Sequence, residues 1–298
     1  MIFGLCVQTM NMNKDTEKNH SKIKLAVLIP ARNEEKIIAN TLSNLLEQDL
    51  KPYRIIVIND GSTDETGKII SGFKNVELID REKRNVSFLG RKELAETVNV
   101  GLRNLHADKD CQFVMITGAD LLFPKNYLAN IIERMKENPK IAVASGVIEN
   151  EFSIEPRGPG RVIRCDFWRK LDFLYPVNYG WEGYLLLKAQ SMGYDVISYP
   201  DIIIKTQRKT GSRFDPKKYY YYGLALKALG YTFLYTIMKI LLFSKRKPYG
   251  AYFMLKGYLS NYNELYENEL REYVKKTQHQ NMFKLAYVKR FFKMFKPK

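Results

Sequence analysis

The segment IKLAVLIPARNEEKIIANTLSNLLEQDLKPYRIIVIND, residues Ile23–Asp60, holds two short apolar runs separated by a stretch with helical spacing. The first run, Ile23–Pro30, contains β-branched residues and stops at a proline, which is typical of a buried strand. The second run, Tyr53–Asp60, has the same character. Apolar residues between the runs recur at the spacing of one helix face: Ile38, Leu42, Leu45 and Leu46. The segment therefore predicts a β-α-β unit.

The same alternation continues along the chain. Strands are predicted at 75–80, 112–117 and 141–149, and helices at 91–103 and 126–137. Strands that alternate with crossover helices form mostly parallel sheets. We therefore predict an α/β, Rossmann-like domain over residues 23–215, preceded by a flexible polar segment over residues 1–22.

Composition limits the partners and the compartment. The 298 residues carry a formal net charge of +16, which favours an anionic partner: anionic lipid, a phosphorylated ligand or nucleic acid. Charge alone does not distinguish among these. The three scattered cysteines, Cys6, Cys111 and Cys165, form no CxxC motif. This spacing favours free thiols in a reducing compartment over a disulfide framework or a zinc site.

Residues 216–298 are rich in tyrosine, leucine and lysine, and a helical region is predicted there. The longest uncharged piece, between Lys227 and Lys239, has 11 residues, whereas a simple membrane span needs about 20. Two interpretations stay open: helices packed on the main domain, or helices in a membrane interface with tyrosine and lysine at headgroup level.

The tail Phe283–Lys298 has phenylalanines on one side of a predicted helix and basic residues on the other, and no acid follows Glu272. This pattern favours a membrane surface, with docking on its own domain as the alternative. We expect a peripheral or shallowly inserted protein on the cytoplasmic face of the cell membrane.

Polar residues follow the predicted strands directly. PARNEE (Pro30–Glu35) follows the first strand, and NDGSTDET (Asn59–Thr66) follows the second. Asp60 is suited to accept the ring N–H of a nucleotide base, and the small residues after it let a ligand approach the backbone. Ordinary turn chemistry is the alternative, because Asn-Asp-Gly-Ser is a common turn composition. A later strand ends in Gly118-Ala119-Asp120, where the single carboxylate either binds a ligand or caps a turn.

Together these segments resemble the family 2 glycosyltransferases, which are nucleotide-sugar enzymes of the GT-A fold. The resemblance includes GRKELAETVNVGL (Gly90–Leu102), similar to the family's glycine-basic segment that leads to Asn-x-Gly. It also includes WEGYLLLKAQSMGY (Trp181–Tyr194), similar to the acidic segment before a helix ending in Gly-aromatic. The resemblance implies a GT-A sheet flanked by helices. The C-terminal helices are expected, from their own composition, to form a membrane-associated extension.

The resemblance also implies the donor site. Residues that would contact the nucleotide-sugar are Ala31, Asn33, Glu34, Asp60, Arg91, Asn99, Asp120 and Arg208. Asp120 would also bind Mg²⁺ or Mn²⁺ beside the diphosphate. The family usually has Asp-x-Asp, and this chain has Gly118 in the first position. Magnesium commonly uses only one or two carboxylates with substrate phosphates and water, so one aspartate is enough.

The predicted catalytic base is Glu182. The family has a Glu-Asp pair, and spacing to Gly193 gives Trp181 the first position and Glu182 the second. A glutamate at a helix start is held ionised by the helix dipole, and a capping role is the alternative. The resemblance implies hexosyl transfer with inversion.

Polar and basic residues after a predicted strand at 196–205 are expected to close over the diphosphate: Gln207, Arg208, Lys209 and Arg213. The processive Gln-x-x-Arg-Trp pattern is matched poorly, which favours transfer of a single sugar to a lipid-linked or glycan acceptor. UDP is expected over GDP, because Asp60 suits uracil, and guanine stays open as the alternative base. RGPGRVIR (Arg157–Arg164) is interpreted as a loop, either mobile on the acceptor side or plain surface.

Two alternatives are kept. A sugar nucleotidyltransferase shares the general architecture but needs a glycine-rich loop after the first strand, and PARNEEK has no glycine. A catalytically silent GT-A protein could bind nucleic acid or membrane through its basic surface, and Gly118 is compatible with that. With the enzyme interpretation, no nucleic acid partner is expected.

Overall fold

The computed structural model describes residues 23–83, 86–88, 90–150, 155–156, 158–208, 215–244 and 247–283. Its strands are β1 Leu25–Ala31, β2 Arg54–Asn59, β3 Glu77–Asp80, β4 Phe113–Ile116, β5 Leu121–Leu122, β6 Ile141–Ile148, β7 Arg161–Arg164 and β8 Asp195–Thr206. Its helices are α1 Ile38–Leu46, α2 Thr66–Ser71, α3 Glu93–His106, α4 Tyr127–Glu137, α5 Cys165–Arg169, α6 Trp181–Ser191, α7 Pro216–Ala228, α8 Phe233–Ser244, α9 Pro248–Leu259 and α10 Asn268–Phe283.

The chain separates into two compact units. The first unit comprises, of the described residues, 23–87, 97–174 and 194–208, and it contains the sheet. The second comprises residues 88–96, 175–193 and 215–283, and it is helical. The predicted segment 1–22 and the tail beyond residue 283 lie outside the described residues.

The sheet of the first unit has the strand order β3-β2-β1-β4-β7-β6-β8-β5. The neighbours β3, β2, β1 and β4 are all parallel, as the alternating sequence pattern predicts. The strand β1 lies between β2 and β4, and five of its seven side chains, Leu25–Ile29, are fully buried. Helix α1 buries Ile38, Leu42 and Leu45, the predicted apolar face, in the same core as these strands.

One sequence interpretation is wrong. The segment Arg157–Arg164 was interpreted as a loop, but Arg161–Arg164 forms β7, which is antiparallel to both β4 and β6 in the middle of the sheet. Arg161 is buried, and its guanidinium donates to the Pro156 carbonyl at 2.9 Å. Arg164 lies over the Phe113 ring and donates to the Ile141 carbonyl. Because backbone carbonyls accept hydrogen bonds from both guanidinium groups, a strand with charged ends is tolerated inside the sheet.

The second unit contains α7, α8, α9 and α10. Helix α7 begins at Pro216, where the Asp215 side chain accepts the Lys217 N–H at 2.9 Å and caps the first turn. Its apolar residues form two clusters, one with α8 and α9 around Leu226 and Met254, and one with α10 around Leu229 and Leu270. In the part of the chain that the structure describes, no helix has the length and apolarity needed to cross a membrane.

Candidate functional site

The loops after β1 and β2 lie side by side in the first unit. The register pairs Ala31 with Asn59, so the residues that follow are neighbours, and the Asp60 N–H donates to the Ala31 carbonyl at 2.8 Å. The Arg32 guanidinium donates to the Asp60 and Gly61 carbonyls at 2.7 and 2.6 Å. Parallel strands therefore bring two of the predicted segments, PARNEE and NDGSTDET, to one edge of the sheet.

The Asp60 carboxylate is buried and oriented by two donors. Its Oδ1 accepts from the Thr97 hydroxyl at 2.8 Å and from the Arg81 guanidinium at 3.3 Å. Thr97 lies on α3, and Arg81 directly follows β3. Because the carboxylate is buried between a positive group and a hydroxyl donor, it is held in one orientation. A fixed orientation is what a site needs if it is to accept a hydrogen bond from a ligand.

Asn33 and Glu34 connect the first loop to the second. Asn33 has a positive φ of 53°, and its side-chain oxygen accepts the Thr63 N–H at 2.9 Å. The Glu34 N–H donates to the Thr66 hydroxyl at 2.7 Å. Asparagine adopts the left-handed region more readily than most residues, so this conformation costs little here. The Asn33 side chain thus fixes the second loop by accepting a hydrogen bond from the backbone of that loop.

Arg208 binds two of the predicted site carboxylates at once. Its Nε lies 2.8 Å from Asp120 Oδ2, and its NH2 lies 2.6 Å from Glu34 Oε1. The side chains of Glu34 and Asp120 are 11% and 16% exposed, whereas that of Arg208 is 52% exposed. The guanidinium therefore covers two nearly buried acids and is itself accessible to a ligand.

Burial raises the pKa of the Glu34 carboxyl, and the hydrogen bond from Arg208 offsets this only in part. The negative charge of Asp120 acts in the same direction as burial. For Arg208, burial opposes the charged form, but the bonds to Glu34 and Asp120 raise the pKa of the guanidinium. The three groups form one charge cluster, in which the arginine keeps two acids close together.

Gly118 leaves the space that the Asp120 side chain uses. A Cβ atom at position 118 would lie 2.8 Å from Asp120 Oδ1. The neighbouring backbone is anchored, because the Thr41 hydroxyl donates to the Ala119 carbonyl and the Gln207 N–H donates to the Asp120 carbonyl. The glycine in place of the first family acid thus lets the remaining carboxylate lie against this backbone and reach Arg208.

The carboxylate oxygens at this site suit a hard divalent cation that takes most of its ligands from a substrate. Over the residues that the structure describes, no group of three or more His, Cys, Asp or Glu side chains could hold a metal by itself. Asp120 offers one carboxylate, with Glu34 bound to the same guanidinium. Mg²⁺ and Mn²⁺ accept such oxygen ligands together with phosphate oxygens, so the residues fit a cation bound with the diphosphate.

The predicted residues near β8 have different roles. Gln207 donates to the Thr41 hydroxyl at 2.8 Å, so its side chain is used inside the first unit and does not extend toward a ligand as predicted. Arg208 does lie with the predicted acids. Lys209 and Arg213 lie outside the described residues. Asn99 is buried in α3, with 2% of its surface exposed.

The predicted base lies in the second unit. Glu182 occupies the first turn of α6 and is exposed, while the preceding Trp181 is buried, with its ring 4.6 Å from that of Tyr175. Gly180 precedes the helix with φ 84°, and a Cβ there would lie 2.9 Å from Leu229 Cδ1. Trp181 thus anchors the start of the helix. Glu182, the residue that the sequence spacing assigns as the base, is the accessible one of the two.

Arg91 also belongs to the second unit. Its NH2 lies 2.9 Å from Glu93 Oε1, and the guanidinium lies over the Phe88 ring at 5.7 Å. The predicted site residues are therefore divided: those around Asp60, Asp120 and Arg208 come together in the first unit, and Arg91 and Glu182 lie in the second.

Sequence reasoning missed Arg32, Arg81 and Thr97. Arg81 could have been found, because it directly follows the strand-like NVELID and so lies at the same sheet edge as Asp60. Thr97 carries no such signal, since a threonine inside a helix has no distinctive spacing.

Residues 26–185 match the family described as Glycosyl transferase family 2. A dolichyl N-acetyl-alpha-D-glucosaminyl phosphate 3-beta-D-2,3-diacetamido-2,3-dideoxy-beta-D-glucuronosyltransferase of Methanococcus voltae is 31% identical over 205 residues, 64% of this chain and 59% of that protein. A poly-beta-1,6-N-acetyl-D-glucosamine synthase of Staphylococcus epidermidis is 28% identical over 155 residues, 51% of this chain and 36% of that protein. The chain thus aligns with less than two thirds of these relatives.

A solved structure of mannosyltransferase PcManGT from Pyrobaculum calidifontis, in complex with GDP-Man and Mn²⁺, superposes with a TM-score of 0.55. It has 16% identity and covers 87% of both chains. The structure of S. aureus TarS 1-349 with UDP-GlcNAc superposes with a TM-score of 0.51 at 18% identity, over 68% of this chain and 65% of that one. These likenesses confirm the predicted GT-A-type fold, a mixed α/β sheet flanked by helices.

Proposed function

The chain belongs to glycosyl transferase family 2, and from this premise we propose that it transfers one sugar from a nucleoside-diphosphate sugar to a lipid-linked or glycan acceptor, with inversion and with a divalent cation. The proposal depends most on one observation, the guanidinium of Arg208 bound to Asp120 and Glu34 beside the Asp60 loops. It places an accessible positive charge against two acids at the sheet edge where nucleotides bind in open α/β folds.

In this proposal Asp60 binds the base. Its carboxylate is oriented by Thr97 and Arg81 and accepts a ring N–H, a donor that uracil and guanine both carry, so UDP- and GDP-sugars are compared directly in the test below. The loop that contains Ala31 and Asn33 forms the wall beside the ribose. Its hydrogen bonds to the second loop fix that wall before the ligand arrives, which lowers the ordering cost of binding.

Arg208 and Asp120 act on the diphosphate. A guanidinium binds phosphate oxygens in bidentate geometry, so Arg208 exchanges a carboxylate partner for the leaving diphosphate. Asp120 would hold Mg²⁺ or Mn²⁺ together with phosphate oxygens, and the cation would neutralise charge on the leaving group. In this proposal the Asp120 carboxylate is released from Arg208 only when the nucleotide-sugar is bound.

Glu182 takes the proton from the acceptor hydroxyl. It is exposed in the first turn of α6, where an acceptor hydroxyl can approach its carboxylate. The buried Trp181 in the position of the first family acid supports a single carboxylate in this role. The acceptor class follows from the relatives, one named for a dolichyl phosphate glycan and one for poly-N-acetylglucosamine synthesis.

The test is a screen of UDP- and GDP-sugars for thermal stabilisation, each with and without Mn²⁺ or Mg²⁺, because ligands that bind only the folded state raise the melting temperature. The proposal predicts stabilisation by a UDP-sugar that increases with the cation, and transfer or slow hydrolysis of that sugar. Stabilisation without any turnover would favour a catalytically silent protein. Formation of a nucleotide-sugar from a sugar phosphate and a nucleoside triphosphate would favour a nucleotidyltransferase.

A further inference from the structure

Large apolar side chains that stay exposed are concentrated in one part of the second unit. Eight of the twelve found among the described residues lie between positions 222 and 265: Tyr222, Phe233, Leu234, Leu241, Tyr249, Tyr252, Leu259 and Leu265. Isolated exposed apolar residues are normal, but a concentration on adjacent helices marks an interaction surface.

The exposed side chains of α8 follow one helical stripe. Leu234 and Leu241 are each 61% exposed and are seven residues apart, with the half-buried Met238 between them. On the other side of the helix Thr236 and Ile240 are buried. Helix α8 is thus apolar on its outer face as well as its inner one, which a helix facing water does not require.

Helix α9 repeats the arrangement. Tyr249, Tyr252 and Leu259 lie three and seven residues apart, and the exposed Lys256 belongs to the same stripe. The name α8–α9 face is used here for Leu234, Met238, Leu241, Tyr249, Tyr252 and Leu259. Tyrosines and a lysine around aliphatic side chains are the composition of helices that lie at the headgroup level of a bilayer.

The inner face of α9 is already occupied. Gly257 lies so close to α7 that a Cβ there would be 2.1 Å from the Tyr220 carbonyl oxygen, and a Cβ on Gly223 would be 2.1 Å from the Met254 carbonyl oxygen. Such close backbone contact leaves no freedom for α9 to rotate about its axis and bury its outer stripe. The exposed stripe is therefore a fixed feature of the second unit.

The segment that contains α7, α8 and α9 carries charge of one sign. Between residues 216 and 263 the sequence has eight lysines and arginines and no aspartate or glutamate. Lys239, on α8, lies 5.0 Å from the Tyr231 ring centre and 5.5 Å from that of Tyr235, so its charge is held at the helix surface by aromatic rings. A second copy of this chain would bring like charges together, whereas an anionic surface is complementary.

We propose that the α8–α9 face binds the surface of a bilayer that contains anionic phospholipid. The leucines and tyrosines enter the boundary between headgroups and acyl chains, and the surrounding lysines bind lipid phosphates. The sequence pattern predicts a membrane interface for residues 216–298, including the tail Phe283–Lys298, and among the described residues the exposed stripes lie on α8 and α9. The inference does not depend on the proposed transferase activity.

The test is co-sedimentation of the full chain with phosphatidylcholine vesicles, with and without phosphatidylglycerol. The double variant Leu234→Glu with Leu241→Glu is compared with Val86→Glu with Met192→Glu, which adds the same charge at exposed apolar positions elsewhere. The wild type and the control pair should bind vesicles with phosphatidylglycerol and dissociate as salt rises. The α8 pair should lose about tenfold or more in partitioning, with circular dichroism and UDP-sugar stabilisation unchanged.

Three results would overturn the proposal. The first is equal vesicle binding by the wild type and the α8 pair. The second is loss of binding only in a Phe291→Glu, Phe292→Glu variant, which would assign attachment to the tail. The third is a wild-type dimer by light scattering that the α8 pair converts to a monomer without any change in vesicle binding, which would make the face a contact between copies.

Discussion

Arg208 Nε lies 2.8 Å from the carboxylate of Asp120, the residue predicted to bind the metal and the diphosphate. The same guanidinium binds Glu34 at 2.6 Å. A guanidinium is therefore already paired with the carboxylate that the proposed reaction assigns to the cation and the diphosphate. We infer that donor binding exchanges partners within this cluster, and the predictions below follow from that exchange.

The first prediction concerns Arg208→Ala. Losing a charge aimed at the leaving diphosphate should lower transfer by about 10²- to 10³-fold. The two acids left behind repel each other and attract a cation, so Mn²⁺ alone should bind the variant more tightly than it binds the wild type. Steady-state kinetics and titration with Mn²⁺ measure the two effects.

Arg134→Ala is the matched control for Arg208, because Arg134 pairs with the exposed Asp201 elsewhere in the same unit. It should change neither transfer nor Mn²⁺ affinity. Wild-type transfer by Arg208→Ala would show that the guanidinium does not act on the donor.

Gly118→Ala tests the space beside Asp120. The new Cβ would lie 2.8 Å from Asp120 Oδ1, so the carboxylate must turn away from Arg208. Loss of one charge-assisted hydrogen bond should weaken UDP binding with Mn²⁺ by about tenfold. The melting temperature should change little, because the clash is with the end of a side chain. If UDP affinity matches that of the control Gly72→Ala, the glycine has no role in placing Asp120.

Glu182→Gln removes the proposed base and keeps its size. Transfer should fall by about 10²-fold or more, while UDP-sugar affinity stays at the wild-type value. Glu269→Gln is the control, since Glu269 is also an exposed glutamate in the first turn of a helix in the second unit. Joint loss of transfer and thermal stability in Glu182→Gln would indicate a capping residue.

Glu34 gives a pH dependence of stability. Burial raises the pKa of its carboxyl above the unfolded value, so its contribution to stability is fully present below the unfolded pKa and is lost as pH rises through the folded pKa. At neutral pH, Glu34→Gln should therefore be at least as stable as the wild type. The amount by which the melting temperature of Glu34→Gln exceeds that of the wild type should shrink as pH falls toward about 4.5. An advantage that grows on acidification would show that the pKa shift has the opposite sign.

Much of the first unit could be predicted from sequence because four of its strands, β1, β2, β4 and β6, are buried on both faces. Such strands are short apolar runs, and β1 and β2 begin and end within about two residues of the predicted limits. Strand β7 was not predictable in the same way. It has four residues, an arginine at each end and glycine before it, and its arginines are stabilised by carbonyls from Pro156 and Ile141.

The candidate site was predictable in part for a similar reason. Asp60 directly follows β2, and Asp120 comes four residues after the end of β4, so the parallel topology of these strands brings both to one edge. The bond between Arg208 and Asp120 depends on residues 88 positions apart, and local spacing carries no signal for it. The role of Gly118 needed the position of the Asp120 side chain, because a missing acid does not show what uses the space it leaves.

The most direct test of the account is a calorimetric titration of UDP into the wild type and into Asp120→Asn, each with and without Mn²⁺. Asp49→Asn, at an exposed aspartate in the first unit, is the control. The account predicts that Mn²⁺ strengthens UDP binding to the wild type and the control, and that Asp120→Asn loses this strengthening while it remains folded. Equal strengthening of UDP binding by Mn²⁺ in all three proteins would contradict the assignment of Asp120 as the residue that holds the cation and the diphosphate.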